Sequence, residues 1–262
     1  RAGAPLGQGA IAASLANTEF GGWRQHSGAS RWLATLSAAT TVGGRTRLGL
    51  FAVATRNAFR IPGPLTQAQV DSAPTQANAT YLSRDERRDN RLARLAVTLD
   101  HRIGADHGIS ALLFAGPKYL QRSERNTYRD FTRYHVGGNV VWRSRVRLSP
   151  SLGGTILAGV DEAYQDGAIL FYSLTPTGTR GDTIRDNKRE GANNLGAFAQ
   201  AEVTAGDHLG VTLGARYDRI GYVNASHITP ALDARRTFTR VTPKLGALWR
   251  FSARHSVYAS LG

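Results

Sequence analysis

Three polar stretches of this chain carry arginine beside tyrosine, a combination that can hold an anion. Tyr81, Arg84, Arg87 and Arg88 lie in the first, and Tyr119, Arg122, Arg125, Tyr128 and Arg129 surround the second. Arg180, Arg185, Lys188 and Arg189 belong to the third. A guanidinium offers a planar fork of donors that suits carboxylate or phosphate, and a phenol adds a flat, hydrogen-bonding surface. An anionic, planar or carboxylate-rich ligand fits these residues, and so does a solvated surface, because charge runs usually face water.

Bond-breaking chemistry has no comparable set. The chain has no cysteine, which removes disulfides, thiol catalysis and Cys-ligated metals. The acidic neighbours Asp85-Glu86 and Asp161-Glu162 point to opposite faces of an extended chain and so do not form an acid/base dyad. His101 and His107 flank a turn without converging carboxylates, so no metal site is expected. No glycine-rich phosphate loop opens a helix and no nucleophile elbow occurs. The expected activity is binding, with no enzyme function and no cofactor.

The elements that must carry these residues are strands. Leu209 to Asp218 reads LGVTLGARYD, with Leu209, Val211, Leu213, Ala215 and Tyr217 on one face and Gly210, Thr212, Gly214, Arg216 and Asp218 on the other. Leu195 to Thr204 alternates in the same way, and the turn at Gly206 to His208 joins the two into a hairpin. Similar pairs are Trp32 to Val42 with Arg45 to Arg56 across Gly43-Gly44, Arg91 to Arg102 with His107 to Leu120, Val136 to Arg147 with Leu152 to Val160, and Thr239 to Phe251 with His255 to Leu261. With Ala10 to Phe20 this makes about 11 strands.

Short turns alternate with long, charged connections at Asn57 to Asn90, Ser123 to Asp130, Gln165 to Ala192 and Val223 to Arg236. That layout is an all-β, antiparallel, up-and-down transmembrane β-barrel, with short turns inside and long loops outside. A net charge of +14 is compatible with nucleic acid, lipid phosphate or an anionic ligand. Nucleic acid is set aside, because the basic residues are not gathered with exposed aromatics on one sheet as single-strand binders require. No run reaches the roughly 20 apolar residues of a spanning helix. A chain of 262 residues that opens at Arg1 and has no methionine is expected to be a piece of a longer protein.

The segments NNLGAFAQAEVTAGDHLGVTLGARYD and FTRVTPKLGALWRFSARHSVYASLG resemble the late barrel of TonB-dependent outer-membrane receptors. The elements that carry the resemblance are Gly214 to Asp218, Pro243 to Gly246 and Val257 to Ala259. It implies a partial barrel over 1–262, about half of a family barrel of about 22 strands, without the plug domain. It further implies a siderophore-type receptor in a Gram-negative outer membrane that imports a ferric siderophore or similar anionic iron chelate, energised by the TonB complex through the plug. A passive porin, or a receptor for cobalamin, a carbohydrate or a redox cofactor, is the alternative.

Under this resemblance Tyr81, Arg84, Arg87, Arg88, Tyr119, Arg122, Arg125, Tyr128, Arg129 and Arg185 are extracellular-loop contacts for the ligand. Arg143, Arg145, Glu202, Arg216, Asp218 and Arg250 face the lumen and the plug. Trp142, Tyr217, Trp249 and Phe251 are expected in an aromatic girdle on the lipid face. Arginines near the outer rim could also meet outer-membrane lipid and the phosphates of lipopolysaccharide.

Overall fold

The computed structural model describes residues 1–262, the side chain of Leu6 excepted. Its strands are β1 (Ala2–Leu6), β2 (Gly9–Phe20), β3 (Ala29–Val42), β4 (Thr46–Arg60), β5 (Arg87–Ile103) and β6 (His107–Glu124). They continue with β7 (Thr127–Ser149), β8 (Leu152–Leu174), β9 (Arg180–Ala205), β10 (Leu209–Ser226), β11 (Ala234–Ser252) and β12 (His255–Leu261). All twelve form one sheet in sequence order, every neighbouring pair antiparallel. This is one strand more than the sequence pattern counts. The addition, β1, is a five-residue edge strand containing Pro5, whose missing N–H costs least at a sheet edge.

The connections correct the expected loops. Ser123 to Asp130 is not a loop: β6 and β7 continue through it to a two-residue turn, Arg125-Asn126, with both residues at positive φ. Most of Gln165 to Ala192 is likewise strand, and Val223 to Arg236 shrinks to 227–233 around a 3-10 turn (Pro230–Leu232). The asymmetry between the two ends lies mainly in strand overhang. β7, β8 and β9 run for 23, 23 and 26 residues, whereas crossing hydrocarbon takes about 9–11. Hydropathy alternation stops where both faces meet water, while backbone pairing continues.

One connection is long in its own right. Residues 61–86 carry α1 (Gln67–Ser72), capped by Thr66, and α2 (Ala79–Ser83), capped by Asn78. They are stapled to the β2–β3 connection by Arg24, whose guanidinium donates to the carbonyls of Gly63 and Gln76, each at 2.9 Å at the shortest. Gly63 sits at φ +71° against the Tyr81 ring, where a Cβ would be both strained and in collision.

The sheet has two distinct faces and almost no conventional core. Among the described residues the buried apolar side chains are Ala77, Ile169 and Ala192. By contrast Leu113 is 65% exposed and Val136 53%. On β6, the residues between His107 and Tyr119 on this face are Ile109, Ala111, Leu113, Ala115 and Pro117. That run spans about 40 Å along the strand, or about 30 Å in height at a tilt near 40°, close to the apolar band of a membrane barrel.

Aromatics bound the band. His107 stacks on Trp142 at 6.3 Å, and Trp249 packs on Phe251 at 5.5 Å, at the short-turn end. Trp32, Tyr119, Tyr134 and Tyr164 share the face toward the other end. Tyr217 lies inside β10 and not at its tip, because that strand runs on to Ser226. The expected girdle residues therefore all lie on the lipid face.

Candidate functional site

Pairing partners share a face, so the register assigns each side chain to the lipid face or the lumen. The six expected lumenal residues, Arg143, Arg145, Glu202, Arg216, Asp218 and Arg250, all fall on the polar face. Arg216 is the best-fixed of them. Its Nη1 and Nη2 donate to Asp161 at 2.7 and 2.9 Å, and its Nε donates to Asp218 at 2.8 Å. The guanidinium lies over Gly196, where any Cβ would displace it. Asp161 faces the lumen and its neighbour Glu162 the exterior, where Glu162 accepts from Asn193 at 3.0 Å.

Farther toward the long connections, one lumenal row crosses six strands: Phe59, Arg88, Arg122, Arg129, Phe171 and Asp186. Three arginines on adjacent strands repel one another, so each needs an anion or an aromatic face. Glu124 partly neutralises the first two, at 3.2 Å from Arg88 and 3.1 Å from Arg122, with Arg125 at 3.7 Å from the turn above. Arg122 lies over Phe131 at 5.1 Å and Arg129 over Phe171 at 4.5 Å. The two phenylalanines meet edge to face at 5.9 Å. Among the described residues no carboxylate pairs with Arg129, and the Nε atoms of Arg88 and Arg122 have no partner.

The rows below add Lys118, Arg133, Lys188 and Arg94. Glu190 binds Arg133 at 2.6 Å and Lys188 at 2.9 Å, and Arg94 lies over Phe114 at 5.3 Å. The arrangement is a cationic, aromatic-lined wall with more positive charge than its acids offset. It can bind an anion and polarise it.

The structure divides the ten expected ligand residues. Arg88, Arg122 and Arg129 converge on the lumen with Arg125 above them. Arg87, Tyr119 and Tyr128 are strand residues on the opposite face, which corrects their placement in loops. Tyr81 packs on Gly63, the Arg84 carbonyl accepts from Ser123 Oγ at 3.0 Å, and Arg185 Nη1 donates to the Asn126 carbonyl at 3.3 Å. The first two therefore help close the 61–86 connection. Lys118, Arg133, Phe131 and Phe171 were missed by the sequence reading. Even spacing along the strand, from Arg122 to Lys118 and from Arg129 to Phe131 and Arg133, was the available signal for three of them once the strands were extended, and Phe171 joins them only through its pairing with Arg129 on the next strand.

The 61–86 connection ends at Glu86, beside this wall. Its side chain is buried among Arg84, Glu124 and Arg125, and Oε2 lacks a partner. Burial pushes its carboxyl above the usual carboxylate range, only partly countered by the Arg125 backbone N–H and the charges of Arg84 and Arg125. A raised folded-state pKa favours the closed form below the unfolded value, and that contribution is lost as pH rises through the folded value. Hydrogen exchange in residues 61–86, corrected for intrinsic rate, is therefore expected to slow from pH 7.5 to pH 5. Glu86→Gln should give slow exchange at both pH values; a pH dependence surviving in that variant would rule Glu86 out as its source.

The geometry matches known barrels. A family model described as TonB dependent receptor-like, beta-barrel matches residues 18–262. No curated protein matches the chain. Among solved structures, the chain is similar to the ferric citrate transporter FecA in its unliganded form, at TM-score 0.81 and 15% identity over 97% of this chain and 38% of that one. It is also similar to BauA, the ferric preacinetobactin receptor of Acinetobacter baumannii, at TM-score 0.76 and 10% identity over 97% and 42%. For the ferric-catecholate import receptor Fiu of E. coli the values are 0.75 and 12% over 98% and 46%. These likenesses establish the fold, and the chain spans less than half the length of each of the three. With the match covering nearly all its strands, the chain belongs to the TonB-dependent receptor β-barrel family, outer-membrane transporters of Gram-negative cells rather than enzymes.

Proposed function

We propose that this barrel belongs to a receptor that captures a small anionic iron chelate, a ferric siderophore or ferric carboxylate complex, and imports it with energy from the TonB complex. The observation that carries this reading is the lumenal row Arg88–Arg122–Arg129 on Phe131 and Phe171, cationic beyond what Glu124 offsets. A ferric complex of carboxylates or catecholates presents the complementary features: negative charge spread over a planar or aromatic rim. The solved neighbours named for ferric citrate, ferric catecholate and ferric preacinetobactin support the same ligand class. Within the proposal Arg88, Arg122, Arg125 and Arg129 touch the ligand. Arg143, Arg145, Glu202, Arg216, Asp218 and Arg250 face a plug through which TonB acts.

Iron-starved cells carrying the receptor should accumulate radio-iron supplied as at least one anionic chelate, and a protonophore should stop it. Iron flux that continues after the protonophore and follows the concentration gradient would make the barrel a passive channel.

A further inference from the structure

Behind the vestibule arginines, on the outer face of the same strands, lies a set of contacts that does not face the ligand. Its row is Arg60, Arg87, Ser123, Tyr128 and Tyr172, two rows above Tyr119 and so clear of the apolar band. Arg88, Arg122 and Arg129 are each the sequence neighbour of one of its members.

Arg87 is the hub of this outer set. Its Nη1 donates to the Asp85 carbonyl at 2.9 Å, to Asp85 Oδ2 at 2.7 Å and to the Gly178 carbonyl at 3.1 Å. Asp85 also meets Arg60 Nε at 3.4 Å. Gly178 belongs to the turn between β8 and β9, 91 residues along the chain. It is buried there at φ +76°, and a Cβ would collide with the Arg84 carbonyl oxygen. That carbonyl is the one that accepts from Ser123, whose surface is wholly covered.

The β8–β9 turn reaches this place through a bend. The two strands shift register on either side of Tyr172, and such irregularities bend a strand pair. Beyond the shift the turn comes back past β6 and β7 to residues 84–87, while Arg185, at the shift, donates to the Asn126 carbonyl. Within the turn the Gly178 N–H donates to the Thr175 carbonyl and the Thr179 N–H to Thr175 Oγ1, both at 3.0 Å. The end of the β6–β7 hairpin is therefore fastened on one side to residues 84–87 and on the other to the β8–β9 tip. Fastening is needed there, because arginines directly opposite one another on adjacent strands push those strands apart.

We infer that Arg87 and Gly178 are positioning residues for the anion site: the clasp they form holds Arg122 and Arg129 in place before the ligand arrives. The inference rests on the proposed capture of an anion by that row. Arg87 lies on the opposite face and Gly178 has no side chain, so neither touches the ligand. An anion then meets an assembled site, and none of its binding energy goes into ordering the hairpin.

The test uses the whole receptor in detergent, with a nitroxide label at Thr177→Cys on the exposed part of the β8–β9 turn. Ferric citrate, a ferric tris-catecholate and pyrophosphate are the probes, and mobility on unheated gels reports the folded barrel. Arg87→Gln and Gly178→Ala should each free the label and weaken binding about tenfold, the ratio expected when the competent arrangement falls to about a tenth of the population. Gly178→Ala removes no charge, so it separates the clasp from a long-range pull of Arg87 on the anion. Saturating probe should slow the label again in both variants, because a ligand that favours the assembled site must favour the closed clasp. A support unconnected to the site would not respond. The inference is overturned if either variant frees the label yet binds within about twofold of the parent, if the label stays mobile at saturation, or if Arg87→Gln leaves it as immobile as before. A parent that takes pyrophosphate and neither ferric chelate ends the iron-chelate reading and leaves the clasp to be judged with pyrophosphate. A parent that binds none of the three overturns both.

Discussion

Replacing Arg122 and Arg129 together by glutamine is expected to lower the receptor's affinity for its anionic ferric chelate by about two orders of magnitude. Each guanidinium offers a charge-assisted contact, and such contacts contribute about 1.5–3 kcal/mol apiece, so losing two removes roughly 3 kcal/mol or more. Arg129 should account for the larger share, because no carboxylate offsets it, whereas Arg122 already shares Glu124 with Arg88. The aromatic floor stays in place, since Phe131 and Phe171 hold each other edge to face at 5.9 Å without the arginines. Ferric citrate and a ferric tris-catecholate are suitable first probes for equilibrium binding to the whole receptor. A double variant that binds within about threefold of the parent, less than 1 kcal/mol, would place the ligand elsewhere on the barrel.

The second large effect separates two neighbours in sequence. Leu113 lies on the lipid face in the middle of the apolar band, and Leu112 lies on the lumenal face in the row of Asn139, Asp161 and Asp218. Leu113→Arg should destabilise the barrel by about 2–4 kcal/mol in lipid, the cost of arginine at the midplane of such a wall. Leu112→Arg should cost well under half of that, since its charge meets water and carboxylates. Urea unfolding of the whole receptor in bilayers measures both. Equal losses, or a larger loss at Leu112, would mean that the faces had been assigned the wrong way round.

That pair also shows where the sequence was informative and where it stopped being so. Between the aromatic rims, one face must be apolar, so a residue's parity is written in its hydropathy; Leu209 to Asp218 and Leu195 to Thr204 were legible for that reason. Above the rims both faces are wet and the constraint disappears. In Thr127 to His135 the alternation pits Tyr128, Asp130 and Thr132 against Arg129, Phe131 and Arg133, and neither set looks like a core. Its first part, to Asp130, therefore read as a loop and the rest went unassigned, although the segment belongs to one strand. The arginines of the vestibule were found by type but not by face. Tyr119 and Arg122 looked like one cluster, yet their odd spacing sends one to lipid and the other to the lumen. β1 escaped because five residues containing a proline carry too little pattern.

The lipid face and the lumenal row are read from the same strands, Arg91 with Arg88 on β5 and Tyr119 with Arg122 on β6. Their separation depends only on whether a residue's place in the strand is odd or even. Inserting or deleting one residue between Tyr119 and Arg122 would exchange the two surfaces above that point, turning vestibule cations toward lipid and a tyrosine toward the pore. Length changes in this part of β5 and β6, where the pairing has no bulge, should therefore be inherited in twos, whereas β8 and β9 absorb an odd residue in the register shift after Phe171. The 61–86 connection is under no such parity rule. It is the part of this mouth that can gain or lose single residues and still leave the wall beneath it in register.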